Sequence, residues 1–406
     1  MTMQPMDMSS VLLSAAALPG EVSGLLRGPS AVPSKPSAAL LAQPVGEPAL
    51  ADRTRLGTLD VPQLALGTIA WTPSSAEDEA RIATLAKKAA DSGLDFIDTA
   101  ERYGAKAADL IPAALSSVAR SLGFEFDASA YQGGDCESNL AKWGRGAQVA
   151  TKFTPKPERR SAQAVVDCCR ESAARLGVDS IPLYQIHMPD IIQPFAALGV
   201  EDRKDELYWD GLAECFLSGL AQNVGVSNYG PTMVARAQEA LARRGVPLAS
   251  NQIPFSLLNR REGNLATVEA CTDLGVATLA YYPLAMGLLT GKLTPSALRG
   301  RRDPRSRDLL RYLEGGNGGT AGSVPSGGVR SLQTVLHAVA ARTNKTPAQV
   351  ALNWVICKGA IPVAGASSAT QLEENVGALN WRLSADEVRR DHGLHITYSL
   401  SASFDS

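Results

Sequence analysis

From Leu56 onward, short apolar runs alternate with longer amphipathic runs that have helical spacing. This alternation predicts βαβ units, whose parallel strands are covered by helices and therefore read as nearly continuous apolar segments. The apolar runs are residues 64–68, 95–99, 148–153, 182–187, 223–228, 248–253, 276–281 and 361–366. Because eight such strands fit a closed sheet better than an open one, we expect an α/β fold, a single-domain (β/α)8 barrel.

Three of the intervening runs carry helix boundary signals. Residues 79–93 end on Gly, residues 161–177 begin with a Ser cap and end on Gly, and residues 346–359 open with Thr-Pro. Two stretches interrupt the alternation, namely 123–146 and the Gly-rich 314–328. We interpret the first as a surface insertion and the second as a flexible segment, each as a spacer in preference to a functional lid.

Residues 1–52 differ in composition from the rest of the chain. They are rich in Ala, Ser, Pro and Leu and poor in acidic residues, and the apolar run at 11–18 is too short to cross a bilayer. This composition resembles that of an organelle transit peptide, which predicts a chloroplast protein. We expect a disordered segment at 1–52, a barrel at 56–395 and a tail at 396–406. The alternative is a cytoplasmic protein with an untargeted tail.

Composition and motifs narrow the function classes. The formal net charge of −2 argues against a general nucleic-acid binder. The sequence contains no H-E-x-x-H and no C-x-x-C, so we expect no metal site, and its six cysteines read as reduced thiols.

No G-x-G-x-x-G follows the first strand, which disfavours a Rossmann enzyme. The expected partner is a small molecule, with neither nucleic acid nor membrane, and the oligomeric state stays open.

Four polar side chains lie at the carboxyl ends of successive predicted strands, where a barrel assembles its active site. Asp98 and Tyr103 follow strand two, Lys152 ends strand three and His187 ends strand four. A nearby ammonium lowers the pKa of a phenol, so Lys152 could turn Tyr103 into a proton donor, with Asp98 holding Lys152 charged. His187 could orient a carbonyl oxygen. These residues suit carbonyl reduction, with the hydride supplied by a cofactor.

The motifs LGT, FIDTAERYG, VATKF, LYQIH, GVSNY, SNQIPFSLL, AYYPLAMGLLTGK and GASSATQLEEN occur in this order over about residues 56–385. In these motifs the chain resembles the aldo-keto reductase family, most of all its plastid-targeted plant and algal group. The resemblance implies that Asp98, Tyr103, Lys152 and His187 form the family's catalytic tetrad. It also implies an NADP-dependent oxidoreductase that uses NADPH.

The resemblance further implies a set of cofactor contacts. Ser227, Asn228 and Gln252 would bind the nicotinamide carboxamide, and Tyr281 would stack on its ring. The remaining contacts, from strand one, the pyrophosphate segment and the adenosine end, would be Gly67, Thr68, Leu284, Gly287, Lys292, Gly365, Ser367, Gln371, Glu374 and Asn375. The N-terminus of the helix after GASS could face a phosphate.

One position departs from the family pattern. Many relatives carry Lys where Ser367 stands, and that Lys neutralises the 2′-phosphate of NADP. We still expect NADPH rather than NADH. Lys292, or an Arg among Arg299, Arg301, Arg302 and Arg305, could supply the missing charge, although the Arg cluster could equally be a solvated loop.

Substrate and direction are not encoded in these motifs. Trp71, Ile69 and Tyr229 are candidates for an apolar substrate pocket. The main hypothesis is reduction of an aldehyde or ketone to an alcohol; an alcohol or pyridoxine-type dehydrogenase running in reverse is the enzymatic alternative. A regulatory subunit or redox sensor that holds NADP with little turnover is the alternative from another class.

Overall fold

The structure, a computed structural model, describes residues 52–103, 136–144, 146–156, 158–190, 203–260, 262–299, 310, 313 and 328–390. The predicted transit segment up to residue 51, the Gly-rich stretch 314–327 and the chain from residue 391 lie outside the described residues. Within the described part, no helix is both long enough and apolar enough to cross a membrane.

The predicted barrel is confirmed. In chain order the strands are β1 Arg53–Leu56, β2 Leu59–Pro62, β3 Ala65–Gly67, β4 Phe96–Asp98, β5 Gln148–Phe153, β6 Leu183–Ile186, β7 Val224–Ser227, β8 Leu248–Pro254, β9 Ala277–Tyr281 and β10 Ala360–Gly365. Strands β3 to β10 are parallel neighbours in sequence order, and β10 pairs with β3 to close the cylinder. Each of the eight predicted runs contains or overlaps one barrel strand.

Helices cover the outside of the barrel. They are α1 Ala76–Asp91, α2 Cys136–Trp143, α3 Ala162–Leu176, α4 Asp205–Leu217, α5 Pro231–Ala242, α6 Glu262–Leu274, α7 Pro295–Arg299, α8 Gly328–Thr343, α9 Pro347–Cys357, α10 Ala369–Val376 and α11 Ala385–Arg390, with a 3₁₀ segment at Ala285–Thr290. The boundary signals act as expected. Ser161 caps α3, Gly177 ends it at a φ of 68°, and Thr346 forms a capping box with Gln349 at α9.

Part of the predicted surface insertion is a helix instead. Residues 136–143 form α2, and its residues Cys136 and Leu140, four apart on one face, are buried. Glu137 is also buried and accepts a hydrogen bond from Nε of Arg175 on α3 at 2.7 Å. The insertion prediction is therefore wrong for these eight residues, because the apolar face at i, i+4 packs on the barrel. Residues 123–135 lie outside the described residues.

An antiparallel hairpin that the sequence analysis did not identify precedes the barrel. Strands β1 and β2 pair from Arg53↔Pro62 to Leu56↔Leu59, so the folded part begins before the predicted start at residue 56. Leu56 and Val61 are buried in one cluster with Phe96 and Leu183 from the first positions of barrel strands. The hairpin thus closes the amino-terminal end of the barrel with apolar side chains.

The barrel interior has two layers, because side chains two apart on a strand share a face. Phe96, Ala150 and Leu183 belong to the apolar layer at the amino-terminal end. Two residues further along the same strands come Asp98, Lys152 and Gln185, all buried. The carboxyl-terminal layer is therefore polar and charged, which concentrates chemistry at one end of the cylinder.

Candidate active site

A buried ion pair forms the centre of the polar layer. The Lys152 Nζ lies 2.8 Å from both carboxylate oxygens of Asp98 and donates to the Thr99 carbonyl at 2.7 Å. The Lys152 side chain is fully buried and that of Asp98 is 3% exposed. Burial lowers the pKa of Lys152, and the Asp98 carboxylate opposes that shift. The pair places a compensated ammonium at the carboxyl end of β5.

Gln252 connects this pair to the opposite side of the barrel. Its side-chain Nε2 donates to Oδ1 of Asp98 at 2.8 Å, and its backbone carbonyl accepts from the Ser227 hydroxyl at 2.8 Å. Asn228, at a φ of 64°, adopts the left-handed conformation that asparagine tolerates better than most residues. In that conformation its amide donates to the His187 carbonyl at 2.9 Å and accepts from the Tyr281 hydroxyl at 2.7 Å. The Asn228 side-chain amide also donates to the Ser227 hydroxyl at 3.2 Å, which joins the two sets of bonds. With Lys152, seven sequence-predicted residues thus belong to one hydrogen-bonded network.

Tyr103 lies on the loop that follows β4. The Lys152 Nζ is 5.1 Å from its ring centroid, and the His187 ring is 6.1 Å away in an edge-on arrangement. Burial, and then the Asp98 carboxylate, raise the pKa of the Tyr103 phenol well above its ordinary value. The net direction is therefore opposite to the lowered pKa that the sequence led us to expect. The reason is that Asp98 compensates the Lys152 charge and that a buried phenolate is poorly solvated.

His187 follows β6 and is neutral at pH 7. Burial lowers its pKa to about 3, with further contributions from the charges of Lys152 and Arg102. The Thr154 hydroxyl lies 3.4 Å from its Nδ1. The imidazole therefore adds a neutral polar group, not a second cation, beside Tyr103.

Sequence reasoning missed an ion pair that joins the loops after β4 and β5. Both carboxylate oxygens of Glu101 lie 2.9 Å from Nη1 of Arg159, and Oε1 accepts from the Thr154 backbone amide at 2.7 Å. The pair ties the segment carrying Tyr103 to the residue that contacts His187. The sequence shows only that both residues are charged. Because they are 58 positions apart, no local pattern indicates that they pair.

The predicted adenosine and pyrophosphate contacts come together between the 3₁₀ segment and α10. Lys292 and Glu374 form an ion pair at 2.6 Å. Gln371 Oε1 accepts from both the amide and the hydroxyl of Ser367 at 2.8 Å. The Asn375 amide donates to the Gly365 carbonyl at 3.2 Å. The residues predicted to contact the pyrophosphate therefore lie against those predicted to contact the adenosine.

The 3₁₀ segment has an unusual backbone. Leu284 precedes it, and Ala285, Met286 and Gly287 have φ values of 48°, 56° and 98°. Two of these three residues are not glycine, so the turn is strained locally and held by the packing around it. Strain of this kind is concentrated at ligand-binding turns.

Arg81 on α1 is a cation near Ser367 that the sequence did not indicate. Its Nη1 donates to the Ser367 carbonyl at 3.0 Å, and its Nη2 pairs with Asp78 at 3.2 Å. Of the predicted Arg cluster, Arg301, Arg302 and Arg305 lie outside the described residues, and Arg299 is the last residue of α7. Arg81 thus places a guanidinium beside Ser367, the position at which the sequence analysis expected a missing positive charge.

Two predicted cofactor residues and two predicted pocket residues are buried or half-buried near β3 and β7. Thr68 donates to the Asp98 carbonyl at 3.0 Å and so fixes β3, ending at Gly67, against β4. Trp71 is packed in the apolar cluster that includes Leu64. Tyr229 is 1% exposed, and its hydroxyl contacts Asp205 and Trp209 at 3.3 and 3.2 Å.

These positions correct the pocket prediction. Tyr229 lies in the outer layer between the barrel and α4 because its hydroxyl has two buried partners there, so it lines no open surface. Trp71 is likewise 1% exposed, whereas the neighbouring Ile69 is 58% exposed. Of the three pocket candidates, Ile69 alone presents a large accessible apolar surface.

The barrel with its buried ion pair, phenol and imidazole at the carboxyl end defines a class of protein. The chain matches the Aldo/keto reductase family over residues 63–394 and belongs to it. Membership makes the protein an oxidoreductase and an α/β barrel of that family. Its closed barrel of eight parallel strands agrees with that assignment.

Individual relatives are similar over most of the chain. The chloroplastic pyridoxal reductase of Arabidopsis thaliana is 32% identical over 344 residues, which are 82% of this chain and 83% of that protein. An aldo-keto reductase of Strobilurus tenacellus is 30% identical over 70% of this chain and 81% of its own length. The crystal structure of a Bombyx mori aldo-keto reductase in complex with NADP superimposes with a TM-score of 0.57 at 23% identity, covering 86% and 94% of the two chains. That likeness supports the fold.

Proposed function

We propose that this oxidoreductase is an NADP(H)-dependent carbonyl reductase that converts an aldehyde or ketone to an alcohol, with Tyr103 as the proton donor. The observation that carries the proposal is the placement of a protonated phenol between the Lys152 ammonium, 5.1 Å from its ring centroid, and the His187 ring at 6.1 Å. The nicotinamide cofactor, when bound, supplies the hydride. The protein must then supply the proton and orient the carbonyl.

The raised pKa of Tyr103 has a consistent role in this proposal. The phenol is fully protonated before the reaction, although the raised pKa makes it a weaker acid at rest. As the carbonyl oxygen gains negative charge, the Tyr103 O–H bond breaks and the new alcohol O–H bond forms. The Lys152 ammonium then stabilises the phenolate left behind, and Asp98 keeps that ammonium in place. Lys152 thus acts on the developing charge instead of on the resting phenol.

His187 orients the substrate oxygen in this scheme. In the tautomer that carries its proton on Nε2, Nδ1 accepts from the Thr154 hydroxyl and Nε2 can donate a hydrogen bond to the substrate. A neutral imidazole also avoids a second positive charge beside Lys152. Its low pKa therefore suits a hydrogen-bond donor, not a proton source.

The described residues fit an NADP cofactor. Asn228 and Tyr281 are joined by a hydrogen bond at the carboxyl ends of β7 and β9, where a nicotinamide would meet the tetrad. Lys292 is 64% exposed and Arg81 lies against Ser367, so positive charge is available near the N-terminus of α10. An anionic cofactor segment would be stabilised by these charges and by the helix dipole.

Steady-state turnover of Tyr103→Phe tests the proposal. The variant keeps the ring and loses the proton donor, so we expect kcat with NADPH and a panel of aldehydes, pyridoxal included, to fall about 10²–10⁴-fold. The Kd for NADPH, read from quenching of intrinsic fluorescence, should change little. Tyr282→Phe is the matched control, because Tyr282 neighbours the site and is 52% exposed.

Three outcomes would change the assignment. A Tyr103→Phe enzyme that works at near wild-type rate would remove the tetrad from catalysis. Tight NADPH binding with only slow oxidation of bound cofactor by every carbonyl tested would favour the regulatory subunit or redox sensor. Faster alcohol oxidation than carbonyl reduction at equal cofactor concentrations would favour the dehydrogenase direction.

We also propose that residues 1–52 direct the protein to the chloroplast. The composition of the segment and the likeness to a chloroplastic pyridoxal reductase support this. A fluorescent protein fused to residues 1–52 should enter plastids, and residues 53–406 fused alone should stay in the cytoplasm. Cytoplasmic retention of the first fusion would remove the targeting proposal.

A further inference from the structure

Arg102 is a cationic residue on the loop that carries Tyr103. It lies between Glu101 and Tyr103 in a tight turn, closed by the hydrogen bond from the Tyr103 amide to the Ala100 carbonyl at 3.0 Å. Its side chain is partly buried. The position of Tyr103 therefore fixes Arg102 to the rim of the same end of the barrel.

The neighbouring carboxylates are already occupied by other cations. Glu101 uses both oxygens for Arg159, and Asp98 uses both for Lys152. On the next loops, Arg160 pairs with Asp190 and Arg203 with Asp205, at 2.9 and 3.0 Å. Among the described residues, no carboxylate pairs with Arg102. With His187 neutral, the charges of the described site sum to one net positive charge, that of Arg102.

This charge acts on the reaction centre and is itself incompletely solvated. Arg102 is one of the two cations that lower the pKa of His187, so the guanidinium acts electrostatically on the ring. Burial is the largest cause of the lowered pKa of Arg102; the Glu101 carboxylate opposes that shift, and Arg159 contributes to it. Because both Glu101 oxygens are bound to Arg159, Glu101 compensates the partly desolvated Arg102 charge only at a distance. An anionic ligand in direct contact would complete the compensation.

We propose that Arg102 binds an anionic group of the substrate, a carboxylate or a phosphate carried by the same molecule as the carbonyl. The inference rests on the proposed carbonyl reduction, whose substrate class it narrows to anionic aldehydes and ketones. The guanidinium would form charge-assisted hydrogen bonds to the anion while the carbonyl faces Tyr103 and His187. Arg102 would thereby set which molecules are reduced, with no part in the proton transfer.

Two matched pairs of substrates test this, one for each anion. They are 4-carboxybenzaldehyde against 4-nitrobenzaldehyde, and glyceraldehyde 3-phosphate against glyceraldehyde. Wild-type enzyme with NADPH should have the higher kcat/KM for at least one anionic member of its pair. In Arg102→Met the anionic-to-neutral ratio of kcat/KM should fall about 10- to 100-fold, the usual worth of hydrogen bonds to a charged group. Whichever pair shows the effect identifies the anion.

Controls separate the possible failures. Arg102→Lys should keep part of the ratio, and Arg170→Met, which removes an exposed arginine of α3, should leave it unchanged. An unchanged ratio in Arg102→Met would overturn the inference, as would a wild-type ratio near one for both pairs. A larger Kd for NADPH in Arg102→Met, with no change in the ratio, would assign the charge to the cofactor. If neither member of either pair is reduced, the proposed carbonyl reduction itself fails.

Discussion

Replacing Asp98 with Asn should destabilise the protein strongly because it leaves the Lys152 ammonium buried without a counterion. In the wild-type protein that ammonium lies 2.8 Å from both Asp98 oxygens, and its side chain has no exposed surface. Breaking a buried pair by removing one partner costs about 3–5 kcal/mol. Neutralising a lysine of ordinary pKa, about 10.4, at pH 7 costs about 4.6 kcal/mol, which sets an upper limit of similar size.

The double variant Asp98→Asn/Lys152→Met is the informative control. It carries no buried charge at this position, so it should be more stable than Asp98→Asn alone. For a folded unit of about 340 residues, the loss of about 3–5 kcal/mol in Asp98→Asn corresponds to a thermal midpoint about 4–7 °C below that of the wild-type protein. Thermal and urea unfolding followed by circular dichroism at one scan rate would measure the difference.

The stability difference between Asp98→Asn and the double variant should also depend on pH. In Asp98→Asn the buried Lys152 is neutral when folded and takes up a proton on unfolding below its ordinary pKa. Since the unfolded state then binds more protons, the stability of Asp98→Asn relative to the double variant should rise with pH. The slope from pH 7 to 9 approaches about 1.4 kcal/mol per unit. A single variant as stable as the double one, with no pH slope between them, would refute the buried-charge reasoning.

Three further predictions concern the barrel wall, His187 and the cofactor charges. Gly225→Ala would place a Cβ 2.2 Å from the Ser250 hydroxyl oxygen, so unfolding should become easier by about 1–3 kcal/mol, whereas Gly263→Ala, with open space around it, should change stability little. With a pKa of about 3, His187 should give kcat/KM no acid limb between about pH 5 and 7; a limb near pH ~6.5 that disappears in His187→Gln would contradict this. Lys292→Met and Arg81→Met should each raise the Kd for NADPH more than that for NADH, and equal losses in fluorescence titrations would mean contacts only to the part shared by both.

The fold class and the candidate site residues followed from the sequence because both depend on local pattern. Apolar runs of strand length between amphipathic helical runs specify a parallel barrel, and caps such as Ser161 set helix ends through bonds three residues away. In a parallel barrel every strand ends at the same rim. The positions of Asp98, Lys152 and His187 at strand ends therefore predicted their proximity without any knowledge of distances.

Contacts between distant segments were decided only by the tertiary structure. The Glu101–Arg159 pair, the proximity of Arg81 to Ser367 and the bond from Gln252 to Asp98 join positions 58 to 286 residues apart, for which one sequence offers no periodic signal. The tertiary structure also decided the electrostatics. The sequence predicts that Lys152 lies near Tyr103. The direction in which the pKa of the Tyr103 phenol shifts depends instead on burial and on the Asp98 carboxylate. Desolvation and charge pairing are properties of the packed interior, so the sequence alone could not reveal them.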